Sequence, residues 1–303
     1  MAYFKCIIKK LVSVVAACMM AFYGIASYIT ANAFYESQGY CIYNYQTEKV
    51  TRYGLIVDLP IYDGNSGMTR AGLIDDRVPD TEVSVVQLAS VGGTGFIIDN
   101  HLIATAAHCV YNQTSDTFVS NMRVDIYNEN CTTILKTVYP KEAHIPVKYT
   151  AYGNEMYDYA LLYVEEDLSE YGMFSLGVPM DSFMTSGATV TVSGFPQSTA
   201  SDPGANCTKR YKADGQIVDM NGSIDKKNHR IQYTAFASSG DSGGPVYTTQ
   251  TFNGKTYHTV IGIQTTRTFY ADGSVGEHRF GTRVTSTLLV FYYNNEKIGS
   301  TVS

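Results

Sequence analysis

Ser242 lies in the stretch ASSGDSGGPVYTT, with Gly240 two places before it and Gly243 and Gly244 immediately after. Glycine at that density means a backbone that adopts geometries, or approaches neighbours, in ways a Cβ would block. Taken alone, the stretch is either a Gly/Ser turn between strands or a turn whose N–H groups face a developing oxyanion beside a serine hydroxyl. A serine hydroxyl is a weak nucleophile at neutral pH. It needs a nearby base, and the base needs a third group to hold its tautomer. IATAAHCVYN supplies His108 after a β-prone run, and EMYDYALLYV supplies Asp158 at the head of an apolar run. Singly, His108 reads as a hydrogen-bonded core histidine and Asp158 as a strand-capping acid. Together, in the order His, Asp, Ser and separated by 50 and 84 residues, they have the composition of a nucleophilic acyl-transfer site.

Three residues so far apart need a scaffold that gathers them. From about residue 82 onward the chain is a series of short β-prone runs broken by Gly, Asn, Asp and Ser, among them EVSVVQLAS, TGFIID, MRVDIY, ATVTVSG, IQYTAF and YHTVIGIQTT. Spacing of this kind predicts an all-β barrel or sandwich. Only the tail, TSTLLVFYYNNEK from Thr285 to Lys297, has the length and apolar spacing of a helix, with Ser286 or Thr287 as its candidate N-cap. There is no βαβ alternation and no visible internal repeat. The polar stretches near 140–157 and 196–210 read as long loops, the first as a boundary between two halves.

With 303 residues, 45% hydrophobic and 17% charged, the chain suffices for one large globular unit or two modest ones. Its start is different in kind. Lys5, Lys9 and Lys10, an apolar stretch from Leu11 to about Ile29, and ANA at Ala31–Ala33 form the pattern of an export signal cut after Ala33. Left uncut, the same stretch would be a membrane anchor, so a membrane is a partner only in that case. Either way the body is expected outside the cytoplasm, and secreted once cut. Losing the three lysines of residues 1–33 takes the formal net charge from −6 to −9, which excludes a basic grip on nucleic acid. Cys41, Cys109, Cys131 and Cys207 remain, too few for a disulfide scaffold. No zinc-ligand spacing occurs and His101, His144, His229, His258 and His278 stand singly, so neither a metal nor another cofactor is expected. Residues 34–70, which close on IYDGNSGMTR, read as a removable propeptide or else as an N-terminal arm.

TAAHC around His108, DYALL from Asp158 and GDSGGP around Ser242 together resemble the trypsin-like serine peptidases, over about residues 71–303. LIDDRV, VSGFP at Val192–Pro196 and VIGIQ at Val260–Gln264 are similar to segments of the secreted bacterial glutamyl endopeptidase branch of that family. The resemblance implies two antiparallel six-stranded β-barrels, roughly 80–165 and 180–284, with the active site in the cleft between them and a short C-terminal helix. It implies His108 as general base and acid, Asp158 as its orienting partner, Ser242 as nucleophile, and the N–H groups of Gly240 and Ser242 as the oxyanion hole. A secreted serine endopeptidase working through an acyl-enzyme follows, acting on protein or peptide substrates as a monomer. The rival reading is a catalytically silent homologue that binds a partner through its cleft.

The chain departs from the branch at several positions. Gln264 stands where a histidine helps bind the substrate carboxylate, and Ala237, five before the nucleophile, replaces a threonine or serine. Phe236, six before it, replaces the aspartate of enzymes that cut after basic residues, so cutting after Lys or Arg is not expected. Thr265 and Arg267 complete the candidate substrate-binding set, Arg267 as a partner for an acidic side chain or else as a solvated loop arginine. The expected preference is Glu or Asp before the scissile bond, with a small or medium apolar residue as the alternative. Gly93 stands where the disulfide partner of Cys109 would be, leaving Cys109 unpaired or joined to Cys131 or Cys207. Asp241 replaces an asparagine, and a buried carboxylate there needs a positive partner. A cut between Arg70 and Ala71 would free an α-amino group for that role; the alternative is that neighbouring donors satisfy Asp241.

Overall fold

Short apolar runs bounded by turn residues cannot sustain helices, and in the computed structural model of the chain they become strands. The structure describes residues 40–53, 76–179, 183–185, 187–198, 206–218, 229–252, 254–269 and 275–296. In chain order the strands are β1 (Tyr40–Asn44), β2 (Lys49–Tyr53), β3 (Val78–Pro79), β4 (Val85–Leu88), β5 (Gly93–Asp99), β6 (Leu102–Thr105), β7 (Tyr111–Asn112), β8 (Thr117–Phe118), β9 (Val124–Tyr127) and β10 (Ile134–Val138). They continue with β11 (Glu142–Pro146), β12 (Ala160–Tyr163), β13 (Ser175–Leu176), β14 (Thr189–Gly194), β15 (Tyr211–Gln216), β16 (Arg230–Tyr233), β17 (Pro245–Phe252), β18 (Lys255–Phe269) and β19 (Val275–Arg283). Helix α1 spans Val147–Tyr152 and α2 spans Ser286–Glu296.

The strands pair into two large sheets and a separate two-stranded ribbon, β7-β8. One has nine strands in the order β10-β9-β4-β5-β6-β12-β11-β1-β2; the other has eight, in the order β16-β19-β18-β17-β14-β15-β3, with β13 pairing β18 in parallel. Two closed six-stranded barrels are not what this pairing shows: among the described residues each sheet is an open path. In the first sheet, the outer edge of β11 is taken by β1, in register Tyr40↔Pro146 to Asn44↔Glu142. In the second, β15 and β16 approach through one bridge, Ile217↔Tyr233, and the bonds Val218 N to Gln232 O (2.9 Å) and Thr234 N to Gln216 O (3.0 Å), without a continuous ladder.

Residues 140–157, expected as a loop at a boundary, instead build β11, α1 and a 3-10 turn at Glu155–Tyr157. Their polar composition hides a buried face, Ala143, Ile145 and Val147, of which Ala143 and Ile145 pack into the larger core. The cap of α2 also falls one residue earlier than expected, since Leu288 N donates to Thr285 Oγ1 (3.2 Å). Leu288, Phe291 and Tyr292 of α2 join the larger core, which runs from the first sheet into the second through Phe195, Tyr247, Val260 and Ile263. A smaller core, with Val190, Val192, Ile231, Tyr233 and Val246, fills the second sheet. The segments expected as a signal (1–33) and the cut site Arg70–Ala71 lie outside the described residues. Among the described residues, no helix is long and apolar enough to cross a membrane.

Candidate active site

β6 and β12 pair antiparallel with Thr105 opposite Ala160, so the residues just after β6 and just before β12 meet at the same end of the sheet. His108 follows β6 in a 3-10 turn, Ala107–Cys109, seated on the wholly buried Ala106 and Ala107. Asp158 precedes β12, after a turn whose cap is the Asn154 side chain accepting from Met156 N. Both carboxylate oxygens of Asp158 are directed at His108: Oδ1 accepts from the backbone N (2.9 Å) and Oδ2 from Nδ1 (2.7 Å). That bond holds the proton on Nδ1 and leaves Nε2 as the basic nitrogen. The Asp158 side chain is buried, whereas that of His108 is 33% exposed. Thr282 of the second sheet donates its hydroxyl to Asp158 O (3.1 Å), tying the acid to both halves. Burial alone would lower the His108 pKa; the charge of Asp158, with the Cys109 sulfur and the Asp158 hydrogen bond adding to it, reverses that and raises it well above the ordinary value.

Gly240 and Gly243 take φ of +96° and +86°, the left-handed region that disfavours a Cβ. Space forbids one as well, because a Cβ on Gly240 would lie 2.4 Å from Phe195 O, and one on Gly243 would lie 2.1 Å from Thr105 Oγ1. In the turn so formed, Asp241 N bonds to Ser238 O, Gly243 N to Gln264 O and Gly244 N to Asp241 O. Among the described residues, Gly240 N and Ser242 N donate to no protein acceptor. Ser242 Oγ lies 3.5 Å from Thr265 O, and Ser242 O lies 3.5 Å from Cys109 Sγ, so the serine turn packs directly on the histidine turn. Thr94, which sequence reasoning missed, fastens the two: its N–H donates to Ser242 O (2.8 Å), its hydroxyl donates to Gly240 O (2.7 Å), and its carbonyl accepts from Thr105 Oγ1 (2.7 Å). The sulfur of Cys109 crowds Gly93, lying 3.1 Å from where a Cβ there would stand, and all four described cysteines are free thiols.

The remaining candidates surround this turn. Asp241 is buried, and its Oδ2 accepts from Ser238 N (2.7 Å). Gly194 of VSGFP makes room for it, since a Cβ there would lie 2.5 Å from Asp241 Oδ1. Gln264 is buried, with its amide accepting from Tyr233 OH and donating to Thr266 O (3.3 Å). Thr265 is buried with its hydroxyl on Phe280 O (3.2 Å). Arg267 lies in β18 opposite Arg279 of β19; its side chain is outside the description. Two arginines that no motif marked flank Phe236. The Arg77 guanidinium lies 4.6 Å from the ring centroid and donates to Ser238 Oγ (3.3 Å); that of Arg279 lies 5.4 Å from the ring and donates through Nε to Ala237 O (2.6 Å). Arg279 is 1% exposed. Burial holds the Tyr233 phenol neutral, and both Arg279 and Asp241 act on it electrostatically. Neither arginine has a local signature: each is recognisable only once the strands are paired.

The family model described as a trypsin-like peptidase domain matches residues 93–262, a span that contains His108, Asp158 and Ser242. A curated relative, the glutamyl endopeptidase of Bacillus licheniformis, is 26% identical over 182 residues, covering 57% of this chain and 53% of its own length. The chain thus spans about half the length of that relative. Among solved structures, Glu endopeptidase in complex with MPD is similar at TM-score 0.59 and 21% identity, over 74% of this chain and 99% of that one. A thermostable serine protease from an extremophilic microorganism is similar at TM-score 0.52 and 16% identity, over 68% and 90%.

Proposed function

The chain belongs to the trypsin-like peptidase family, and from that premise we propose that it is a secreted serine endopeptidase that cuts peptide bonds through an acyl-enzyme, with a preference for acidic residues before the scissile bond. Ser242 is the nucleophile, His108 the general base and acid, and Asp158 the group that fixes the imidazole. The observation that carries the reading is the pair of amides, Gly240 N and Ser242 N, which among the described residues donate to no protein acceptor, whereas Asp241 N, Gly243 N and Gly244 N are bonded. A merely structural turn has no use for two such donors side by side; a developing oxyanion does.

In the reaction, His108 Nε2 takes the proton of Ser242 as Oγ attacks the scissile carbonyl carbon. The carbonyl oxygen, now anionic, accepts from Gly240 N and Ser242 N. Collapse breaks the C–N bond, the amine leaves with the proton from His108, and the acyl group stays on Ser242. Water then attacks, giving its proton to His108, and releases the acid and Ser242. Asp158 keeps Nε2 directed outward and stabilises the imidazolium formed on the way. Activation completes the proposal: a cut between Arg70 and Ala71 frees an amino group that pairs with Asp241, steadying Gly240. Digestion of an unstructured protein by the mature chain tests the whole. Wild type should release peptides, and Ser242→Ala and His108→Ala should each lose at least about 10³-fold in kcat; wild-type protein that digests nothing contradicts it.

A further inference from the structure

We infer that Arg279 selects the substrate class of this site, holding the carboxylate of an acidic side chain that enters beside the nucleophile. The inference rests on the peptidase reading and adds to it the residue that does the selecting. A carbonyl bound over Ser242 by the amides of Gly240 and Ser242 directs its own residue's side chain between the Ala237–Gly240 backbone and Thr265, whose carbonyl lies 3.5 Å from Ser242 Oγ. Ala237, wholly buried, brings no polar side chain to it. Behind it runs β19, held to β18 through Gln264↔Gly281 and Thr266↔Phe280, and by Thr265 Oγ1 on Phe280 O. Arg279 is the next residue along, and its side chain reaches from β19 to Ala237 O (2.6 Å) and the face of Phe236.

A guanidinium withdrawn from water in this way is costly unless anions face it. Arg279 and Asp241 both act electrostatically on the buried Tyr233 phenol. An entering carboxylate adds charge-assisted hydrogen bonds in a medium where they are stronger than in water. Gln264, at the position that resembles the carboxylate-binding histidine, has its amide committed to Tyr233 and Thr266. Arg77, just before β3, also lies over Phe236 and is held to Ser238, but is only half-buried. Arg279 therefore has both the burial and the position.

The test is a peptide-library digest read by mass spectrometry, followed by kcat/KM on matched peptides carrying Glu, Gln or Leu before the scissile bond, for wild type, Arg279→Gln and Arg279→Lys. A phosphonate without an acidic side chain titrates intact active sites in each. Wild type should favour Glu over Gln; Arg279→Gln should lower that ratio by about 10²-fold while still labelling, and Arg279→Lys should retain part of it. A labelled wild type with no acidic preference overturns the assignment without reference to any variant. So does an Arg279→Gln or Arg279→Lys enzyme that slows on all three peptides equally, because a counter-ion for Asp241 alone would act that way. A wild type that neither labels nor cuts takes down the peptidase reading, and this one with it.

Discussion

At the scale of single residues, the account depends on how Asp158 divides its two oxygens between the ring and the backbone of His108. The pair raises the His108 pKa above the ordinary 6.5, so the imidazolium is the favoured form at and below that pH. The attraction stabilises the fold fully below the unfolded pKa and fades as pH rises through the folded one. Catalysis needs the neutral ring and runs the opposite way: kcat/KM should rise with pH along a limb centred above 6.5. Asp158→Asn should move that limb to lower pH and cut kcat by about 10⁴-fold, since the asparagine no longer enforces the Nδ1 proton; a pH–rate profile with an unmoved limb would show that Asp158 does not control His108. His108 and Ser242 were legible as candidates because their motifs have small neighbours, and Asp158 because it stands at the head of an apolar run. Ala106 and Ala107 let the histidine turn sink, and Gly240, Gly243 and Gly244 let the serine turn fold. Thr94 and Arg279 were not legible, because a threonine hydroxyl or a strand arginine acquires its role only from what the strand pairing sets opposite it.

Among the elements, the N-terminal hairpin changes what a removable segment would mean. Residues 34–70 read as a propeptide or arm, yet β1 alternates inward Cys41 and Tyr43 with outward neighbours and adds a strand to β11. Tyr43 is buried and stacks on Phe118 at 4.6 Å between ring centroids. An aromatic and a cysteine as the only inward residues gave too weak an apolar alternation to announce a strand, and the polar residues of β11 concealed the edge that receives it. The hairpin should accordingly survive a cut at Arg70. Cut protein should carry residues 34–70 through gel filtration and release them only in denaturant, and Tyr43→Ala, at a cost of about 3 kcal/mol, should loosen that association. Release of the segment under native conditions would show that the hairpin does not outlast the cut.

For the whole molecule, the site exists because two sheets share one core. His108 and Asp158 come from the first sheet and Ser242 from the second, and Thr94 and Thr282 bond across between them. The mostly β organisation was legible from the rhythm of short runs and turn residues, and its division in two from the family resemblance. Closure was not, because it depends on which edge each strand finds, and β1 and β3 occupy edges that no local pattern assigns. The central claim is that this arrangement makes one hydroxyl among many a nucleophile. The most direct measurement is the reaction of the mature protein with an organophosphonate, with the adduct located by peptide mass spectrometry. The account predicts one phosphonyl group per chain, on Ser242, absent from Ser242→Ala and strongly slowed in His108→Ala. Protein that stays unmodified under conditions where its fold is intact, or a label borne by another residue and unchanged in Ser242→Ala, would contradict it.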